Sequence, residues 1–229
     1  MTAFIDALKR GMKWLIGRDL YRKPERVVAT ERLGDPGGRW TLATDGLRPG
    51  TVVYSFGIGE DISFERDLIQ RYGVRVHAFD PTPLALRYVA GQNLPDGLVV
   101  HPYGVADYDG TARFDAPIKG YISFSTVRGG GSGAAVEAPV RRVTTLQKDL
   151  NLPAPDILKM DIEGAEYAVL DDAIASGFRP MQILVEFHHR YRETGARKTR
   201  EAIALLNRAG YRIVFVHPKG MEYTFLRDA

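Results

Sequence analysis

Two glycines one residue apart stand in the stretch YSFGIGEDISF at 54–64, straight after an apolar run. Gly57 and Gly59 let the backbone turn tightly and bring its amides close to a ligand. Glu60 and Asp61 follow, where a pyrophosphate would have to sit over the next helix's N-terminus, and two carboxylates would repel it. Three further acidic endings follow apolar segments: Asp80, Asp107, and Asp161 with Glu163. Asp80 lies 80 − 57 = 23 residues beyond Gly57, close to the roughly 20 at which a carboxylate bonds ribose hydroxyls in nucleotide-binding α/β folds. A ribose without phosphate, with positive charge beside the glycine turn, suits this set. S-adenosylmethionine, whose sulfonium and ammonium groups are cations, has those properties. Taken singly, each of these residues is equally at home as a turn former, because Asp and Gly are common after strands.

A second group has different chemistry. Asp161 and Glu163 close one apolar segment, and Glu186, His188 and His189 close the next. Strand alternation sends Glu186 and His188 the same way and His189 the opposite way. If a hydroxyl is to be alkylated, its proton must leave, and two readings serve that step. In one, neutral His188 is the general base. In the other, Asp161, Glu186 and His188 converge on a divalent cation that binds the acceptor oxygen and lowers its pKa. A purely structural reading stands beside both, with Glu186 bonding an amide or Arg190 and His188 an ordinary edge histidine. Glu163 and Glu166, at the start of a helix, also suit its dipole.

The elements that must position these groups alternate. TVVYSF reads as a buried strand, DISFERDLIQRYG as a helix with Phe64, Leu68 and Tyr72 on one face and Gly73 ending it, and VRVHAFD as the next strand. Thr82 and Pro83 open a second helix as cap and first residue. GLVVHPYGVAD is a third strand ending at Asp107; GTARFDAP and AAVEAPVRRVTTL pair as β segments around the glycine loop 128–133. PDILKMD and PMQILVEFHH are the fourth and fifth strands, with GAEYAVLDDAIASG as the helix between them. TREAIALLNRAG is a last helix before the hairpin of YRIVFVH and MEYTFLR. Alternation of this kind implies a doubly wound, mainly parallel sheet that binds ligands beyond the carboxyl ends of its strands.

Composition bounds the rest. The chain has 229 residues, 45% of them hydrophobic, enough for one cored α/β domain, here 41–229 with a loop and β excursion at about 111–145. Residues 1–40 read as a helix and connecting segment. A net charge of +3, from 31 basic and 28 acidic residues, is too small and too dispersed to imply a nucleic-acid partner. With no cysteine there are no disulfides or thiolate sites, which agrees with a cytoplasmic protein. No apolar run approaches the roughly 20 residues that span a bilayer. Residues 4–20 put Phe4, Ile5, Leu8, Met12, Leu15 and Ile16 near one helical face, a surface for docking on the domain, for a homodimer partner or for an anionic membrane.

The residues also carry a resemblance. ILKMDIEGAEYAVL at 157–170 is similar to the hallmark segment of the FkbM family of S-adenosylmethionine-dependent methyltransferases. VHAFDPTP at 76–83 resembles the family's second-strand motif, and GVADYDGTARF at 104–114 and ILVEFHH at 183–189 resemble two further segments in the same order. The resemblance spans about residues 50–190. It implies a class I methyltransferase fold, a Rossmann-like seven-stranded sheet whose last strand is antiparallel. It also implies a hydroxyl acceptor on a sugar or secondary metabolite. The first motif departs from the family: Ser55 and Gly59 stand where Asp and Asn are usual, and Asp61 replaces a later glycine. Glu60 or Asp61 then takes the place of the missing ammonium partner, or Asp61 merely caps the helix. The candidate cofactor-binding residues are therefore Ser55, Gly57, Gly59, Glu60, Asp61, Asp80, Asp107 and Asp161. Asp107 faces either the adenine amino group or nothing but its own turn. Tyr121, Phe124, Arg128, Arg190, Tyr191 and Arg192 would close the acceptor pocket over a small molecule or glycan. Two other functions compete: a cofactor-binding scaffold without turnover, and an NAD-dependent oxidoreductase, which Ile62 at the third glycine position disfavours.

Overall fold

The computed structural model describes residues 20–115, 125–127, 135–191 and 193–228. The amphipathic segment 4–20, apart from Leu20, lies outside them, as do Tyr121, Phe124, Arg128, Arg192 and the glycine loop. The chain opens with β1 (Thr30–Leu33) and β2 (Trp40–Ala43), an antiparallel pair. β3 (Val52–Phe56), α1 (Ser63–Tyr72), β4 (Arg75–Phe79), α2 (Pro83–Ala90) and β5 (Leu98–His101) then alternate as expected. β6 (Gly104–Val105), β7 (Gly110–Phe114) and β8 (Val136–Arg141) form a separate three-stranded sheet, followed by α3 (Val143–Asp149). β9 (Ile157–Met160), α4 (Glu166–Ala175), β10 (Gln182–Glu186), α5 (Gly195–Arg208), β11 (Tyr211–Val216) and β12 (Glu222–Arg227) complete the fold.

The main sheet has seven strands in the order β11-β12-β10-β9-β3-β4-β5. β10, β9, β3, β4 and β5 run parallel, and β12 is antiparallel to both β10 and β11. Order reverses between β3 and β9, so the crevice that ligands use in doubly wound sheets opens there. All residues of β3 and β9 are buried, as expected for central strands covered on both faces. One core cluster joins Tyr54, Phe56, Leu158, Met160, Ile183 and Val185 to α4 and α5. A second joins Val53, Ile58, Ile62, Phe64 and Leu68 to Val76 and Ala78.

Local signals worked where they had a mechanism. Gly73 ends α1 at φ 64°, and the Thr82 hydroxyl accepts from the Ala85 amide with Pro83 opening α2. Two readings change. The third segment is two strands, because Pro102 has no amide to continue the ladder and the chain turns there, Tyr103 N–H bonding the His101 carbonyl. VTTL, taken with the preceding strand, instead opens helix α3, VTTLQKD, with Val143 and Leu146 buried.

Candidate active site

A cavity of about 450 Å³ opens at the carboxyl ends of β3, β4, β9 and β10, a size that suits a nucleoside-sized ligand. One wall is the turn after β3. Gly57 has φ +77° and lies so close to the next strand that a Cβ there would stand 1.8 Å from the Asp161 carbonyl oxygen. Gly59 has φ +53°. Asp80, ending β4, holds this turn: its Oδ2 accepts from the amides of Ile58 (3.1 Å) and Gly59 (3.0 Å), its Oδ1 from the Thr82 amide (2.9 Å) and hydroxyl (2.6 Å). Asp61 Oδ1 accepts from the Ser63 amide at 2.7 Å, one residue before the N-cap Ile62, which itself makes no side-chain cap bond, and Asp61 still borders the cavity beside exposed Glu60.

Behind this wall runs a buried polar relay that only partly meets expectation. Ser55 is fully buried and donates to Glu65 at 2.6 Å, and it does not line the cavity. Lys159, in the middle of an otherwise apolar strand, donates to the Gly57 carbonyl at 2.8 Å, pairs with Glu65 at 3.8 Å and lies 5.1 Å from the centre of the Trp40 ring. Asp107 is exposed, follows β6 of the small sheet, and is not part of the cavity lining.

The other wall is acidic. Asp161, Glu163, Glu186 and Glu222 border it, the last two opposite each other in the β10–β12 register. Glu163 has φ 55°, a left-handed conformation costing a non-glycine residue about 1–2 kcal/mol. Its carbonyl takes a hydrogen bond from the Ser125 hydroxyl at 2.8 Å and its carboxylate one from the Tyr191 hydroxyl, while Val127 covers Gly164. Such over-determined strain clusters at functional sites.

His188 stands behind these carboxylates, 6% exposed. Its Nδ1 is 2.7 Å from Oε1 of Glu166, a fully buried carboxylate that also accepts from the Ile162 and Gly164 amides. Its Nε2 is 3.7 Å from Asp161 Oδ1 and 3.5 Å from Glu163 Oε2. Asp161 Oδ1 is buried and has no hydrogen-bond partner. Burial alone would lower the imidazole pKa, but Glu166, Asp161 and Glu163 outweigh it and hold it up at about 10. These neighbours favour the charged form of the ring, whereas the general base read from sequence is a neutral imidazole. Burial, together with mutual repulsion, pushes Asp161 up to about 6 and Glu186 to about 8; Glu222 rises to about 7 for the same reasons.

The structure therefore brings Gly57, Gly59, Glu60, Asp61, Asp80, Asp161 and Glu186 to one cavity, with His188 just behind it, and leaves Ser55 and Asp107 out of its lining. Sequence reasoning missed Lys159 and Glu222. A lysine inside ILKMD is a readable anomaly, whereas Glu222 gains its place from a partner strand 36 residues away, 222 − 186.

Comparison with known proteins follows the same lines. Methyltransferase FkbM from Methylobacillus flagellatus KT superimposes with a TM-score of 0.50 at 18% identity, over 77% of this chain and 43% of that one, so the chain spans less than half of that protein. The fibrillarin pre-rRNA processing protein of Methanococcus jannaschii superimposes with a TM-score of 0.51 at 10% identity, over 91% of this chain and 87% of that one. These are class I methyltransferase folds, and at such identities the likeness speaks for the fold. No curated protein matches the chain in sequence. The Methyltransferase FkbM domain matches residues 53–213, more than half of the sequence and reaching into every strand of the main sheet except β12, and the chain belongs to the FkbM family of methyltransferases.

Proposed function

We propose that the protein transfers a methyl group from S-adenosylmethionine to a hydroxyl of a small-molecule or glycan acceptor. The observation that carries this reading is the asymmetry of the cavity: one wall offers glycine-turn backbone, the other an excess of carboxylate. A ribose bearing a sulfonium and an ammonium matches both, while a pyrophosphate matches neither. In this reading Gly57, Gly59 and Asp80 shape the nucleoside seat, and Glu60 or the free oxygen of Asp61 meets the ammonium group. Ile62, fully buried in the core at the third glycine position, weighs against a dinucleotide.

Transfer is an in-line displacement. The acceptor oxygen forms a bond to the methyl carbon as the carbon–sulfur bond breaks, and its electron pair goes to sulfur, which becomes a neutral thioether. The cavity's main contribution is alignment, worth up to about 7–11 kcal/mol in ideal cases. The acceptor enters on the side of Asp161 and Glu186, and its proton departs into this acidic cluster.

Calorimetry with S-adenosylhomocysteine and with NAD, followed by transfer of labelled methyl to a panel of hydroxylated acceptors, tests the reading. Saturable binding of the first ligand, none of the second, and label on an acceptor oxygen are expected. Indifference to S-adenosylhomocysteine would refute the proposal; binding without transfer to any acceptor would make the chain a scaffold.

A further inference from the structure

Asp161, Glu186 and His188 each offer one ligand atom, and these atoms all lie within 4.8 Å of one another. We infer that they bind one divalent first-row cation of the Mn²⁺ type at the acidic wall, with Glu166 positioning the imidazole.

Spacing comes first. Around one ion with bonds of about 2.1–2.4 Å, donors stand from about 3 Å apart when adjacent to about 4.8 Å when opposite. His188 Nε2 is 3.7 Å from Asp161 Oδ1 and 3.5 Å from Glu163 Oε2. Both distances fall in that range, and both are long for a hydrogen bond.

Orientation comes second. A metal-binding imidazole commonly donates its other ring N–H to a carboxylate, which fixes the tautomer and aims the free nitrogen. Glu166 is placed to accept that proton. It is fully buried, and its Oε1 is held by two backbone amides and lies 2.7 Å from Nδ1. Its position on the first turn of α4 fixes it below the turn that carries Asp161 and Glu163.

Charge comes third. Asp161 Oδ1 is buried without a hydrogen-bond partner although a third of its side chain reaches the cavity. Glu163, Glu186 and Glu222 border the same wall. A divalent ion satisfies the unpartnered oxygen and brings positive charge to a wall crowded with carboxylates. One imidazole among oxygen donors favours a borderline cation over Mg²⁺ or Ca²⁺. The catalytic use of the ion rests on the methyl-transfer reading: bound to the acceptor oxygen, it would lower that hydroxyl's pKa.

The test uses the full chain, stripped with chelator and free of S-adenosylmethionine, titrated with MnCl₂ while the electron paramagnetic resonance signal of free Mn²⁺ is followed. One equivalent bound per chain is expected. Glu186→Gln should weaken binding at least 10-fold, and Glu166→Gln by about 10–100-fold, the usual effect of removing the carboxylate that holds a ligating histidine. Circular dichroism of the metal-free variants controls for folding. No saturable binding by the unsubstituted chain overturns the inference, as does an affinity unchanged in both Glu186→Gln and Asp161→Asn. S-adenosylhomocysteine calorimetry on the same stripped sample separates the two claims, since cofactor binding without Mn²⁺ binding sinks the cation and spares methyl transfer.

Discussion

The two walls of the cavity are built from the same kinds of residue and behave in opposite ways. On the β3–β4 side, Asp80 is 5% exposed yet accepts four hydrogen bonds, and Glu65 is held by Ser55 and Lys159. On the β9–β10 side the carboxylates face one another, Asp161 Oδ1 finds no donor, and Glu163 sits in a left-handed conformation. A carboxylate saturated by backbone amides is part of the scaffold. Carboxylates crowded together with raised pKa values are held for something that arrives. The acidic half should therefore tolerate loss of charge, and the glycine half should not tolerate loss of shape.

The largest effect is expected at Gly57. An alanine Cβ would strike the Asp161 carbonyl at 1.8 Å on a backbone at φ +77°, with no flexible side chain to yield. Gly57→Ala should cost about 3–4 kcal/mol in urea unfolding. A loss under about 1 kcal/mol would show that the walls are not locked together there. Asp80→Ala comes next, at about 2–3 kcal/mol, because it orphans the buried amide of Ile58 and the partly buried amide of Gly59. Asp80→Asn, keeping one acceptor oxygen, should lose about half of that. If both variants melt with the parent, the turn holds itself.

How much of this was legible follows the same division. The main sheet could be read because β3, β9 and β10 are short apolar runs with turn residues at each end, and burial on both faces leaves them no other fate. The Thr82–Pro83 start was readable because it depends on neighbours two or three residues away. Asp107 was misplaced because Pro102 diverts the third strand into another sheet, a tertiary outcome. α3 was hidden by the β-branched residues of VTT, whose weak helix propensity is overridden by burying Val143 and Leu146. At the acidic wall, strand endings and the alternation of Glu186 and His188 were enough to group Asp161, Glu186 and His188, whose candidate ligand atoms lie within 4.8 Å of one another. They could not show that Glu166 reaches back under His188, nor that Glu222 pairs beside Glu186, because both depend on chain that returns from elsewhere.

Glu186→Gln tests the acidic half directly. It replaces a mostly buried carboxyl, whose charged form is disfavoured by burial and like-charged neighbours up to about pH 8, with a neutral group of the same shape, so in chelator at about pH 9 the variant should be unchanged or more stable by up to about 1 kcal/mol. Set beside Asp80→Asn, the same chemical change at the other wall, the sign of the effect should reverse. A Glu186→Gln variant destabilised as much as Asp80→Asn would show that this carboxylate is scaffold after all, and the contrast between the walls would fail.

The smallest effect lies at the outer edge of the glycine half, where the rings of His77 on β4 and His101 on β5 meet diagonally across the register. Their ring nitrogens are 3.1 Å apart, and His101 stacks on Phe79 with centroids 4.7 Å apart. One nitrogen must donate and the other accept, so the pair cannot keep this bond once both rings carry a proton on the facing nitrogens. Burial and then the neighbouring His77 lower the His101 pKa to about 4, and burial and then Arg75 lower that of His77. The unfolded chain, with an ordinary value near 6.5, binds the proton more readily. Stability from this pair is therefore complete above about pH 6.5 and lost as pH falls toward about 4. Because His101 is only partly buried, water screens the effect to about 1 kcal/mol. Chemical unfolding at pH 7 and pH 4.5 should show this loss in the parent and a smaller one in His101→Gln, the difference between them isolating the pair from the carboxylates titrating nearby. Equal slopes would mean that His101 takes up its proton without strain, and that this edge is not tuned to neutral pH as the packing of its rings implies.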